Sequence, residues 1–293
     1  MLLVTQTDML GAYFGDIRAI EMIADAGFDA IDYSMFEIWD NGVFGSDGYL
    51  DYTYQLKAAA DAKGIGFVQA HAPFSGLQKL ENEDEIITRE SARAKRAIEI
   101  AGILGVKVLV IHPLQFKRYF FNEAYFKDVN MRFYRELLPY AEKYNIKIAC
   151  ENMWQRDRKS EHIIDSVCAD PKEFNDYIDT INSEYFTACL DLGHCGLTSR
   201  EAQDCLRTMG GRVGALHVHD NDYKDDLHTL PGYGDMDWDE ITKALADIGY
   251  SGSFTFEADR FLEPLKDEES TFCALKLMES VGRNLIKKIE QYK

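Results

Sequence analysis

The stretch from Phe186 to His219, FTACLDLGHCGLTSREAQDCLRTMGGRVGALHVH, decides the fold. Phe186–Leu192 and Val213–His219 are apolar runs of strand length, and between them Ser199–Met209 spaces its apolar residues as a helix does. Two strands joined by a helix of this length pair in parallel, because a hairpin turn cannot make the crossover. The same rhythm continues outward. Upstream lie the predicted strands Leu2–Thr7, Phe28–Ser34, Gly66–Ala72, Lys107–His112 and Lys147–Asn152, and downstream Ser253–Ala258, which makes eight. Helical periods fall at Asp16–Ala26, Asp51–Lys63, Glu83–Leu104, Asn122–Tyr144, Pro171–Ile181, Trp238–Ile248 and Glu268–Lys288. Gly27, Gly64, Gly105 and Gly249 stand where left-handed helix caps are needed before a strand. Eight units in 293 residues average about 37 each, which suits an α/β fold of a single (β/α)8 TIM barrel. No linker or charge run divides the chain, so one domain over residues 1–293 is expected. A doubly wound open sheet is the structural alternative, but Thr7-Asp8-Met9-Leu10-Gly11 is not the glycine-rich phosphate turn that fold usually places after its first strand.

Composition narrows the function. With 46% hydrophobic and 28% charged residues the chain has ample material for a core and is neither low-complexity nor disordered. Lys+Arg number 32 against 50 Asp+Glu, a net charge of −18, which disfavours nucleic acid or an anionic membrane as partner and leaves a small polar substrate open. The start, Met1-Leu2-Leu3-Val4-Thr5-Gln6-Thr7-Asp8, lacks a basic n-region and a long apolar run, so a cytoplasmic location is expected. Six cysteines without a CxxC pair read as reduced, mostly buried thiols.

Six of the seven histidines fall at or just beyond predicted strand ends: His71, His112, His194, His217, His219 and His228; His162 does not. Glu151, Asp191 and Glu257 join them. In a barrel these ends converge on one mouth. A carboxylate at the tip of a buried apolar strand costs several kcal/mol unless it is paired, and Lys and Arg are nearly absent from these tips. A divalent metal satisfies the pattern, and mixed nitrogen and oxygen donors point to one Zn²⁺, Mn²⁺, Co²⁺ or Fe²⁺ ion. His217 and His219 lie two apart on one strand, so both face the same side and spacing leaves open which is the ligand. Trp154 is placed to stack on a ligand or to anchor its loop. The aromatic set Phe116, Tyr119, Phe120, Phe121, Tyr125 and Phe126 reads as helix packing, with a lid or a contact between copies as the alternative; a homo-oligomer is left open.

In order along the chain, His71-Ala72-Pro73, His112-Pro113, Glu151-Asn152, Asp191-Leu192-Gly193-His194, His217-Val218-His219-Asp220-Asn221-Asp222, Pro231-Gly232-Tyr233-Gly234 and Phe256-Glu257-Ala258 resemble the xylose isomerase-like TIM barrel superfamily. That group includes sugar and sugar-phosphate isomerases, ketose 3-epimerases, inosose dehydratases and, more distantly, the repair nuclease endonuclease IV. The resemblance implies a catalytic metal held by Glu151, Asp191, His217 and Glu257. It also implies proton abstraction next to a carbonyl through a metal-stabilised enediolate, with Glu151 and Glu257 as acid and base and His194 supporting the site or touching a sugar or polyol substrate. His219 becomes a neighbour of the ligands or a substrate contact. In the endonuclease IV pattern His71, His112, His194, Asp226 and His228 would bind additional metals. The expected activity is therefore a metal-dependent sugar or sugar-phosphate isomerase or epimerase. An inosose-type dehydratase is the alternative, and a nuclease or a non-catalytic binding protein stands further off. The basic residues Lys117, Arg118, Arg156, Arg158 and Lys159 are too few for a DNA-binding stripe and suit one anionic group on a small substrate.

Overall fold

In the computed structural model, which describes residues 1–36, 42–76, 83–116, 119–157 and 159–293, the chain alternates strands and helices around a parallel sheet. The strands are β1 (Leu3–Gln6), β2 (Ala30–Ser34), β3 (Gly66–His71), β4 (Val108–Val110), β5 (Lys147–Glu151), β6 (Trp154–Arg156), β7 (Ile163–Asp165), β8 (Phe186–Asp191), β9 (Val213–His217) and β10 (Phe254–Phe256). The helices are α1 (Asp8–Phe14), α2 (Asp16–Ala26), α3 (Tyr49–Lys63), α4 (Glu83–Leu104), α5 (Glu123–Tyr144), α6 (Pro171–Ile181), α7 (Leu192–Leu197), α8 (Ala202–Met209), α9 (Trp238–Asp247) and α10 (Glu268–Tyr292). Eight strands run β10-β1-β2-β3-β4-β5-β8-β9, all pairs parallel, and a bridge from Val218 to Phe256 joins the ends. This is a (β/α)8 TIM barrel. All eight predicted strands are present, each shortened at one end or both. The open-sheet alternative is excluded by the pairing of β1 with β10.

The helix ends follow backbone chemistry. Gly27 and Gly64 adopt left-handed conformations at φ 101° and 67°, as expected at those caps. Asn145 and Asn182 do the same at φ 53° and 45°, a conformation asparagine tolerates better than most residues.

Inside the barrel the period of two explains what lies beneath the site. Two residues below Glu151, Asp191, His217 and His112 stand Ala149, Cys189, Ala215 and Val110, which pack together as a small buried apolar layer. On the other half the layer is polar: Gln69 donates to Asp32 at 2.9 Å, and Thr255 donates to Gln69 at 3.3 Å. Burial, against the pull of His217 and His71, pushes the Asp32 carboxyl up to about 6. Outside, the strands pack on the helices through the main core, which includes Leu3, Ile31, Leu190 and Phe254. All six cysteines are free thiols, five of them buried.

The aromatic set divides. Phe116, Tyr119 and Phe126 are buried and stack in a row, whereas Phe120, Phe121 and Tyr125 are exposed. The loop around Gly42–Gly48, flexible by composition, is pinned by the buried Phe44, whose carbonyl accepts from Arg96 at 2.9 Å. Lys117, Arg118 and Arg158 lie outside the described residues. No helix among the described residues is long and apolar enough to cross a membrane.

Candidate metal centre and active-site cavity

The strand-end residues meet at the mouth of the barrel. Glu151 ends β5, Asp191 ends β8, His217 ends β9 and Glu257 follows β10; all four are buried, and one donor atom from each lies within 4.8 Å of the others. Nδ1 of His217 is 2.8 Å from Oε2 of Glu257, 3.4 Å from Oε2 of Glu151 and 3.9 Å from Oδ2 of Asp191. Yet His217 Nδ1, Glu151 Oε2 and Glu257 Oε2 make no aligned hydrogen bond. Buried polar atoms that converge without satisfying one another are costly, and a shared divalent cation would satisfy all of them. The donor set, one nitrogen and three carboxylates, fits such an ion.

Neighbouring groups hold these atoms in place. Gln6, at the end of β1, donates to Oε1 of Glu257 at 2.9 Å and so turns Oε2 toward His217. Asp191 caps α7 by accepting from the His194 backbone at 2.7 Å and receives His219 Nε2 at 3.0 Å. Thus His217 approaches the four-donor centre while His219 sits behind it on Asp191, a distinction that spacing alone left open. Gly193 makes that approach feasible: a Cβ there would meet Cε1 of His219 at 2.0 Å. Asn152 reaches across from β5, its amide donating to the Asp191 carbonyl at 3.0 Å and its carbonyl oxygen accepting from the Asp191 N–H at 2.7 Å.

The remaining histidines form further groups on the same wall. His71 and His112 touch through their Nε2 atoms at 2.9 Å, and His112 Nε2 is 3.0 Å from Oε2 of Glu151. His228 Nε2 is 3.1 Å from Oδ2 of Asp226, which is 3.8 Å from His194 Nε2. The sets His71/His112/Glu151, His194/Asp226/His228 and His219/His228/Glu257 each bring three metal-type donors together. His162 stays away, exposed in the turn between β6 and β7.

Electrostatics divide the roles. Burial raises the carboxyls of Glu151 and Glu257, but nearby imidazoles outweigh it, His112 and His217 for Glu151 and His217 and His228 for Glu257, and hold both below the usual range. Both glutamates are therefore ionised at neutral pH. Burial works against the imidazolium of His194, yet Asp191, Asp226 and Glu151 outweigh it and hold its pKa at about 10. At His112 burial prevails and lowers the pKa.

Above the centre opens a cavity of about 370 Å³, lined by Glu151, Glu257, His71, His112, His194, Asp226, His228 and Trp154. Trp154 faces His194 edge-on at 6.4 Å and lines the cavity, while its backbone pairs with Asp165 in the β6–β7 ladder. The sequence reading missed Gln6, Phe36, Phe74, Asp259 and Arg260, which also line it. Gln6 obeys the same strand-end rule as the others but carries no charge to flag it. Phe36 and Phe74 lie in loops, and Asp259 and Arg260 in a single 3-10 turn, where no periodicity assigns a direction.

The Xylose isomerase-like TIM barrel family model matches residues 20–276. An uncharacterised protein of Methanocaldococcus jannaschii is 26% identical over 255 residues, covering 86% of this chain and 82% of that protein. The D-psicose 3-epimerase of Ruminiclostridium cellulolyticum is 26% identical over 245 residues, covering 81% and 76%. Among solved structures, a D-tagatose 3-epimerase-like protein superposes with a TM-score of 0.73 at 21% identity, covering 99% of this chain and all of that one.

Proposed function

The chain belongs to the xylose isomerase-like TIM barrel family, and from that premise we propose that it is a divalent-metal-dependent sugar isomerase or epimerase. The observation that carries this reading is the pairing of Glu151 and Glu257. They arise three barrel positions apart, both line one cavity, and both reach the same His217 nitrogen. The likeness to D-psicose 3-epimerases supports it.

Glu151, Asp191, His217 and Glu257 would hold the ion. When bound, it supplies positive charge that polarises a substrate carbonyl and acidifies the neighbouring C–H. Glu151 and Glu257, ionised and aimed into the cavity, are the proton carriers: one removes the proton beside the carbonyl, and the other returns a proton to the opposite face. Return to the opposite face inverts the centre; return to the adjacent carbon interconverts aldose and ketose. Gln6 fixes the rotamer of Glu257, so the carboxylate need not reorganise during transfer. His194, between Asp191 and Asp226, orients substrate or supports the ligands. His71, His112, His219, Asp226, His228 and Trp154 complete the set as substrate contacts or holders of additional ions. The dehydratase alternative draws on His194, which lies between Asp191 and Asp226 at the cavity, in place to assist loss of a hydroxyl.

Two measurements test this. Elemental analysis after mild dialysis is expected to find close to one transition-metal ion per chain, lost in the double variant Glu151→Gln, Asp191→Asn; a double variant that binds as well as wild type refutes the ligand assignment. NMR of ketoses incubated in D₂O is expected to show deuterium at the carbon beside the carbonyl. Glu257→Gln should cut turnover by about three orders of magnitude or more while retaining substrate binding, within the range removal of a positioned acid–base group commands. Undiminished exchange in both Glu257→Gln and the single variant Glu151→Gln would assign the proton transfer to other residues, and a dehydrated product would select the alternative.

A further inference from the structure

Gln115 lines the active-site cavity from the loop after β4 and has no part in the chemistry proposed above. It stands three residues beyond His112, whose Nε2 is 3.0 Å from Glu151. Its side chain is 9% exposed, and its Oε1 accepts from Oγ of Ser166 at 3.0 Å. The serine dictates that orientation. Ser166 is fully buried, and Gln115 is the one side-chain partner of its hydroxyl among the described residues, so the O–H must point at the amide oxygen. A reversed amide would leave a buried hydroxyl without an acceptor. With the oxygen taken, the Nε2 end of the amide remains. It donates to no group among the described residues, and it is not one of the polar atoms sealed from solvent.

Both partners sit on pinned backbone. Tyr134 donates to the Ile111 carbonyl at 2.9 Å, Asn130 bonds the N–H and carbonyl of Leu114 at 2.7 and 3.1 Å, and Phe116 stacks on Phe126 with ring centroids 5.0 Å apart. Ser166 donates its N–H to the carbonyl of Met153, a residue of the same cavity wall, at 3.3 Å. The amide is therefore held in place before a ligand arrives and loses little freedom on binding. The ionised Glu151 and Glu257 opposite accept hydrogen bonds, whereas an amide N–H donates one. The geometry points to Gln115 as a specificity-determining residue that donates through Nε2 to a substrate oxygen beyond the reacting carbon, so that sugars oxygenated at that position are selected over their deoxy analogues. The carbonyl and the carbon beside it are already claimed by the four-donor centre and the two glutamates, which leaves the rest of the sugar chain for Gln115. A site built to hydrogen-bond an oxygen rejects the analogue that lacks it, because its own donor is then left unpaired. The inference rests on the sugar-active reading of this cavity.

The test compares kcat/KM for solvent exchange of carbon-bound protons in the metal-loaded enzyme with D-fructose and with its 4-deoxy, 5-deoxy and 6-deoxy forms. Gln115→Met, which keeps the volume and removes the donor, is expected to lower the value for D-fructose about threefold to tenfold, the usual worth of one hydrogen bond. One deoxy sugar is expected to be poorer than D-fructose with wild type by a similar factor and to lose nothing further in Gln115→Met. Ser166→Ala frees the amide to turn; it is expected to lower the D-fructose value in wild type and to have no effect in the Gln115→Met background. Metal content equal to wild type in each variant shows that the four-donor centre is intact. No loss in Gln115→Met, or an equal loss with all four sugars, overturns the inference while leaving the sugar-active reading standing. If no sugar exchanges at all, that reading falls, and binding decides the role of Gln115 by itself. The side-chain N–H signals of Gln115, identified in ¹⁵N-labelled protein by their absence from Gln115→Met, are expected to shift when D-fructose is added; signals that stay in place overturn the inference.

Discussion

At the scale of single residues, the space denied to a side chain is as informative as the side chains present. Gly193 lies under the His219 ring, and Gly193→Ala would place a methyl group 2.0 Å from Cε1 of that buried imidazole. The ring must move off Asp191, at a cost of about 1–3 kcal/mol, the range for overpacking. The expected outcome is a lower melting temperature together with weaker metal retention, read by thermal unfolding and elemental analysis; an unchanged melting temperature would show that the ring yields freely. Glu173 offers a pH test away from the four-donor group. Burial pushes its carboxyl from the ordinary 4.5 up to about 7, although Tyr119 donates to it. Because the folded state binds the proton more tightly than the unfolded one, this residue's contribution is fully present below about pH 4.5 and is lost as pH rises through about 7. Wild type should therefore lose roughly 2–4 kcal/mol relative to Glu173→Gln across that window, at about 1.4 kcal/mol per pKa unit. Denaturant titrations at pH 5 and pH 8 measure it, and parallel stabilities at the two values would refute it. The charged members of the site were legible because a buried strand end makes an acid or imidazole conspicuous. Gln6, Asp32 and Gln69 were not, since an amide or a mid-strand carboxylate looks like any polar position until its partners on other strands are known.

At the scale of elements, long periodic segments were legible and short ones were not. The bounds of α2, α4 and α6 coincide with the helical periods read from sequence. The seven-residue α1, the six-residue α7 and the three-residue strands β6 and β7 escaped, because each is shorter than the window over which a period can be counted. Tertiary support stands in for periodicity there: α7 is capped by the Asp191 carboxylate, and β6 finds its ladder only in β7. Capping also gives a test. Asp170 accepts from the backbone N–H groups of Lys172 and Glu173 at 2.7 and 3.3 Å at the start of α6. Asp170→Ala should cost about 1 kcal/mol, and Asp170→Asn, which keeps an acceptor, much less. Chemical denaturation of the two variants decides it; equal losses would assign the effect to charge, through Arg200 at 3.7 Å, instead of to the cap.

At the scale of the whole molecule, the net charge of −18 sets what can approach the mouth. Of the described cations near it, Arg156 is paired with Asp225 at 2.7 Å, and Arg260 donates to the Asp226 carbonyl at 2.7 Å. Abasic duplex DNA is therefore expected neither to bind nor to be cut at about 150 mM salt, where weak phosphate contacts are screened. Salt-resistant retention or strand incision would reverse this and give the groups around His71, His112, Asp226 and His228 work as sites for further ions. The barrel itself has another consequence. Leu3 pairs with Phe254, so β1 must wait for the whole intervening stretch of chain to be synthesised before its neighbour β10 exists. At about 5–20 residues per second that wait is on the order of ten to fifty seconds, during which β1 presents an open edge. The four-donor group is likewise divided along the chain, and it cannot exist before residue 257 has been added. Any ion held by all four donors is therefore acquired only once the last strand has joined the others, which ties loading to closure of the barrel and makes the open chain a client for whatever shields its unpaired edge.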